Sequence, residues 1–245
     1  MITPSQIFDL LNKEFPFETQ ESWDNSGLLV YSGVESDSVL VCLDVTADVV
    51  EKAVEMDAKI IVSHHPVIFS GLKEIYSGDV VYSLIKNDIS VISAHTNFDK
   101  YRYGTCFDIA NRLGLDIVPD DSFDFGVIAE TDGISVQELG WKCKSVFGSA
   151  SVTMPHNRIN TVFICAGSGS DMKNEVIESG ADCYLCGECK YHDMLDLAAE
   201  GISVVTLGHD NSEKLSVETI ANLIKENFED TDVQVYIPES LVQNI

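Results

Sequence analysis

Short runs of apolar, largely β-branched residues alternate with amphipathic stretches along most of this chain. "SVLVCLDV" (38–45), "KIIVS" (59–63) and "SVISAH" (90–95) read as strands. Between and after them, "TADVVEKAVEMDA" (46–58, opened by Thr46), "GDVVYSLIKNDI" (78–89) and "GTCFDIANRLGL" (104–115, stopping near Gly114) read as helices. The rhythm returns downstream. "INTVFICAGSGS" is a strand running into a turn, "DMKNEVIESGA" a helix, "DCYLCGE" a strand and "YHDMLDLAAEG" a helix. "ISVVTLGH" is a strand, "SEKLSVETIANLIKENF" a long last helix, and "VQVYIP" an edge strand. From about 116 to 159 the pattern is irregular, with short strand candidates at "FGVIAE" and "SASVTM". Strands apolar on both faces and alternating with helices imply a mostly parallel sheet covered by helices, hence an α/β fold. No low-complexity linker interrupts the chain, so any two lobes are expected to be closely apposed.

Composition narrows the function classes. Of 245 residues, 15 are Lys or Arg and 40 are Asp or Glu, a net charge of −25. No basic stripe is left for a phosphate backbone, which argues against nucleic-acid binding. The same field repels anionic substrates, so a nucleotide site would need metal ions to reverse the local sign. No apolar run reaches the ~20 residues of a membrane-spanning helix. "MITPSQIFDLLNKEF" lacks a basic stretch and a cleavage site, and Pro4 suits the start of a structural helix. A cytoplasmic location is expected, and the seven cysteines are expected as reduced thiols.

One phrase then occurs three times: a short strand with histidine just past its carboxyl end. "KIIVSHH" carries His64 and His65, "SVISAHTNFD" carries His95 and Asp99, and "SVVTLGHDNSE" carries His209 and Glu213. In open α/β sheets, residues beyond the carboxyl ends of strands converge on one crevice, so ends far apart in sequence can meet. Within a continuing strand His64 and His65 would point to opposite faces. Pro66 marks the strand's exit, where both rings can turn the same way. His209 and Glu213, four apart at a helix start, share one face. Three imidazoles with two carboxylates suit Zn, Mn, Fe, Co or Ni better than Ca or Mg.

Here the sequence resembles the Nif-three-like family, the GTP cyclohydrolase I type 2 homologues. "SWDNSGLLV", "LDVTADVVEKAVEMDAKIIVSHHPVIF", "AHTNFD", "CAGSGS", "DCYLCGECKYHD" and "GHDNSE" occur in family order over nearly the whole chain. The resemblance implies a two-metal site of His64, His65, Asp99, His209 and Glu213. One ion would use His65 and Asp99, the other His64 and His209, with Glu213 shared. His95 would stand beside them as a supporting group or proton shuttle. It also implies two similar α/β lobes, about 1–120 and 121–245, with mixed, mostly parallel sheets around one metal cleft. Assembly would be a homohexameric ring. Some relatives carry an inserted central domain; with 109 residues between Asp99 and His209, none is expected here.

The activity implied is hydrolysis of a small-molecule substrate, a nucleotide such as GTP by the family's label, through water activated by two divalent ions. His95 and Glu188 are the candidates for moving protons. The other reading is a non-catalytic metal-binding ring acting as carrier, regulator or interaction platform. Asp210, Tyr191 and "KYRYGTCFD" depart from the family pattern and bear on the substrate pocket.

Three weaker motifs complete the reading. Cys183, Cys186 and Cys189 have an iron–sulfur-like spacing, with His192 as a conceivable fourth ligand. A strand at "DCYLCGE" instead sends Cys183 and Cys186 to opposite faces, and core residues are the preferred reading. "CAGSGS" fits either a phosphate-cradling turn or a tight strand-to-helix turn. Asp24 and Asn25 are expected to fix a turn near the cleft.

Overall fold

The computed structural model of the chain describes residues 1–119, 122–154 and 156–240. It is a mixed α/β protein with two sheets, and it divides into two compact units. Residues 120 and 121, where the sequence reading puts the division, lie outside the described residues. The units found are 1–101 with 216–240, and 102–215.

In the first unit, α1 (Pro4–Glu14) starts where Thr3 and Gln6 cap each other: Gln6 N donates to Thr3 Oγ1 at 3.2 Å, and Thr3 N donates to Gln6 Oε1 at 2.9 Å. β1 (Gly27–Val30), β2 (Ser38–Cys42) and α2 (Ala47–Glu55) follow, α2 opening at Thr46 as its sequence predicts. Next come β3 (Ile60–Ser63), α3 (Val80–Lys86), β4 (Ser90–Ser93) and the single turn α4 (Thr96–Asp99). β2, β3 and β4 are parallel neighbours in register, with Cys42 opposite Ser63 and Ser63 opposite Ser93. They separate two apolar layers. Val39, Val41, Ile60 and Val62 face the core under α1, while Leu40, Cys42 and Ile61 face the core under α2 and α3. Burial on both faces explains why these strands read as unbroken apolar runs. β1 joins β4 antiparallel.

The second unit contains α5 (Thr105–Arg112), β5 (Asp116–Ile117), β6 (Val127–Ser135), α6 (Val136–Phe147) and β7 (Ser151–Val152). It continues with β8 (Arg158–Ser168), α7 (Lys173–Ser179), β9 (Cys183–Glu188), α8 (Tyr191–Ala199) and β10 (Ser203–Thr206). Its sheet has the order β5-β6-β8-β9-β10-β7, in which β8, β9 and β10 are parallel and the other pairings antiparallel. The irregular reading of the middle segment needs correction at one element. α6 is a regular helix, capped by Ser135 and Glu138 in an S-x-x-E box.

α9 (His209–Asn227) starts three residues earlier than its sequence pattern suggests, belonging to the second unit up to Leu215 and to the first from Ser216. Val217, Ile220, Ala221 and Ile224 of α9 lie in the first unit's core. β11 (Asp232–Val235) then pairs parallel with β2 and completes the order β1-β4-β3-β2-β11. Among the described residues, no helix is long and apolar enough to cross a membrane.

Candidate metal centre

The parallel register of the first sheet puts three chemically useful residues in a row. Counting two residues past Cys42, Ser63 and Ser93 gives Asp44, His65 and His95. Asp44 Oδ1 stands 2.7 Å from His65 Nδ1, and the His65 and His95 rings are 5.5 Å apart. His64 turns the same way as its neighbour, ring centroids 5.1 Å apart, as the exit at Pro66 predicts. One ligand atom from each of His64, His65 and His95 lies within 4.8 Å of the others, so these three rings form a group that could hold a metal ion.

Each ring is held in the same sense. His64 is fully buried, and its Nδ1 is 2.8 Å from Ala94 O. A carbonyl oxygen only accepts, so Nδ1 carries the proton and Nε2 offers its lone pair. His65 Nδ1 donates likewise to Asp44, and His95 Nδ1 to Asp24 Oδ1 at 2.9 Å. Metal-binding histidines characteristically donate their other ring N–H to a carboxylate or carbonyl in this way. His64 Nε2 is 3.6 Å from Asp99 Oδ1.

Asp24 does more than fix a turn. Its carboxylate also accepts from Asn25 N (2.7 Å), Ser26 Oγ (2.9 Å), Thr96 N (3.1 Å) and Thr96 Oγ1 (2.6 Å). Burial alone would raise its pKa, but the bonds from His95 and Thr96 outweigh burial and hold it well below the usual carboxylate range. Asn25 donates from Nδ2 to Ile68 O at 2.5 Å. Two exposed aromatic rings flank the same histidine. Trp23 (58% exposed) is 6.1 Å from the His95 ring and 6.1 Å from Phe69, which is 52% exposed and 6.4 Å from His95.

The second unit contributes its own set. At the carboxyl ends of β8 and β9 stand Gly167 and Glu188, and just past β10 comes the Gly208–His209 step. His209 Nε2 is 3.1 Å from Glu213 Oε2, one helical turn on, and His209 Nδ1 is 3.4 Å from Glu188 Oε2. Glu213 is only 4% exposed, and its room is provided by a glycine. Gly167 has φ +63°, and a Cβ there would collide with Glu213 Oε1 and approach His209 Nε2 at 3.6 Å. Ser212 Oγ locks the arrangement by donating to His209 O at 2.7 Å and accepting from Gly167 N at 2.9 Å. "CAGSGS" is thus a close-packed turn. Gly167 N points at Ser212, and Gly169 lies against Tyr184, whose hydroxyl donates to Gly169 O.

All seven residues expected at the site occupy these two sets: His64, His65, His95 and Asp99 in the first unit, His209, Glu213 and Glu188 in the second. One part of the expectation changes. The three histidine-bearing strand ends do not belong to one sheet, because β10 lies in the other unit's sheet from β3 and β4. Asp210 pairs with Lys214 at 3.3 Å, and His192 sits exposed on the first turn of α8 with its ring 5.7 Å from Tyr191. Cys183 faces one core and Cys186 the other, which excludes a cluster spanning both. Asp44 was not anticipated, though a carboxylate two residues past a neighbouring parallel strand was the available signal.

Residues 2–242 match the family model described as Duf34/NIF3 (NGG1p interacting factor 3). The chain is 34% identical over 229 residues to a Campylobacter jejuni protein named GTP cyclohydrolase 1 type 2 homolog, covering 90% of this chain and 91% of that one. It is 34% identical over 232 residues to a Helicobacter pylori protein named GTP cyclohydrolase 1 type 2, covering 91% and 92%. A crystal structure of the Staphylococcus aureus hypothetical protein SA1388 superposes with a TM-score of 0.87 at 27% identity, covering 98% of each chain.

Proposed function

Because the chain belongs to the Duf34/NIF3 family, and because its histidines are oriented as ligands, we propose that it is a dinuclear metal-dependent hydrolase acting on a nucleotide or related small molecule. His64, His65, Asp99, His209 and Glu213 act jointly as the ligands of two divalent ions. The observation that carries this reading is the repeated ring orientation: His64, His65 and His95 each turn Nδ1 to an oxygen acceptor, which makes Nε2 the nitrogen suited to a metal. When bound, the two ions supply Lewis-acid chemistry, polarising the scissile centre and acidifying the attacking water.

The chain's own residues do the rest. Asp44, Ala94 O and Asp24 fix three imidazole planes before any ion arrives, so little ordering remains on binding. His95, backed by the ionised Asp24, is suited to take and return a proton at Nε2. Glu188, an exposed carboxylate beside His209, is the second group placed to move one. Trp23 and Phe69 offer an exposed aromatic surface next to His95 against which a planar base can stack. That surface, with the names of the relatives from Campylobacter jejuni and Helicobacter pylori, supports a purine nucleotide as substrate class.

The test is elemental analysis of the purified protein, with chromatographic assay of GTP and other nucleotides under each reconstituted metal. About two ions per chain and metal-dependent product formation are expected. His65→Ala and Glu213→Ala should lose metal while remaining folded. Full metal content in both variants would overturn the ligand assignment; stable metal binding without turnover of any nucleotide would remove the hydrolase reading.

A further inference from the structure

Between β3 and α3 the chain runs through residues 64–79 without a helix or strand. Both ends of this stretch are tied. Val67 and Ile68 pack on the core under α2 and α3, and Ile68 O accepts from Asn25 Nδ2 at 2.5 Å. At the far end Tyr76 N donates to Asp79 Oδ2 at 2.7 Å, and Asp79 N donates to Tyr76 O at 2.9 Å, where α3 begins. Among the described residues, nothing hydrogen-bonds to the part between, 69–75. All of 69–79 is exposed, although Phe69, Leu72, Ile75 and Tyr76 are large and apolar. A segment with no hydrogen bonds and little burial opens at small cost in free energy. Exposed apolar side chains grouped in this way form a surface that something else covers.

Phe69 indicates what that is. Its ring lies 6.1 Å from Trp23 and 6.4 Å from His95, so the segment starts at the candidate metal centre. Trp23 is the fixed member of the aromatic pair, because the adjoining Asp24 accepts hydrogen bonds from His95, Asn25, Ser26 and Thr96. Phe69 is the movable one. Two rings that hold a planar base between them stand about 7 Å apart and parallel, twice the ordinary carbon–carbon contact. Trp23 and Phe69 are nearer than that and 39° from parallel, so a base enters between them only if residue 69 swings.

We propose that residues 69–75 are a lid, hinged at Ile68, that swings to admit the base of a bound nucleotide and closes with Phe69 stacked on one face and Trp23 on the other. The proposal rests on the nucleotide reading above and adds to it the element that grips the base. In a chain of net charge −25, an uncharged aromatic clamp holds the nucleotide by the part that the protein's field does not repel.

Lys73 is exposed inside the lid, so trypsin reports the lid's state. Purified full-length protein with its retained metal is digested briefly alone, with GTP, or with inorganic tripolyphosphate, and GTP binding is measured in parallel by equilibrium dialysis. GTP should slow cleavage after Lys73 by roughly tenfold or more, because cleavage follows the population of the open form. Tripolyphosphate, which has no base, should leave cleavage unchanged. Phe69→Ala should bind GTP roughly tenfold more weakly, as expected for one lost stacking contact, and should lose the protection at matched occupancy. Tyr76→Ser, beyond the lid, should match the wild type in both. GTP bound without slower cleavage would overturn the lid and leave the nucleotide reading standing, whereas GTP that does not bind would remove both. Equal protection by tripolyphosphate, protection that follows protein concentration rather than GTP, or wild-type behaviour of Phe69→Ala would each assign the segment another role and overturn the proposal.

Discussion

Gly167 makes the case that a residue without a side chain can be part of the proposed ligand set. Its positive φ and the Glu213 oxygen it admits leave no space for a Cβ. Gly167→Ala is therefore expected to move Glu213 and weaken metal binding by roughly tenfold or more, the scale seen when ligand supports are lost. Competition with a chromogenic chelator reads this directly, and unchanged affinity would refute the role. Asp44→Asn is the complementary case, because it removes the charge that orients His65 and leaves its size nearly intact. Loss of about 10–100-fold in metal affinity is expected, with thermal stability of the metal-free protein little changed, since Asp44 is exposed. At this scale the sequence named each histidine and carboxylate of the two sets. It missed Asp44 because a carboxylate after a strand is common, and only the register with β3 gives it meaning.

Among the elements, β2, β3, β4 and β8 to β10 were legible because burial on both faces leaves an unbroken apolar run. α6 was not, because its buried positions (Val136, Leu139, Gly140 and Cys143) include a glycine and a cysteine, which weaken the periodic signal. The surer mark was its capping box. Ser135→Ala should cost about 1 kcal/mol in urea unfolding, with the far-ultraviolet spectrum of the folded protein unchanged. Across β8 and β9, Asp182 accepts from Asn160 N at 2.8 Å and Thr161 N at 3.1 Å. Burial pushes its carboxyl up, but these bonds prevail and its pKa is lowered. A lowered folded pKa gives stability that is fully present above the unfolded carboxylate range and lost as pH falls through the folded value. The penalty of Asp182→Asn should therefore be greatest near neutrality and shrink below about pH 4. A penalty equal at all pH values would show that the charge plays no part.

For the molecule as a whole, the α/β class was legible, and the partner of the last strand was not. Contact along β2 and β11 joins residues 38–41 to 232–235, and no local pattern announces a parallel pairing at that distance. The net charge of −25 bears on assembly. If the chain forms the homohexamer that its family resemblance implies, light scattering should show loosening at low ionic strength, where screening reaches least far. A monomer under every salt condition would exclude the hexamer. The late arrival of β11 has a consequence in time. About 190 residues are synthesised between the end of β2 and the start of β11, roughly 10 to 40 s at ordinary translation rates. Throughout that interval the nascent first sheet presents β2, whose Val39, Leu40, Val41 and Cys42 are wholly buried in the finished protein, as a bare edge able to pair with any other nascent strand. The ribosome thus releases a chain whose most adhesive edge is the one closed last, and its yield in a cell should depend on chaperone supply more steeply than its equilibrium stability would suggest.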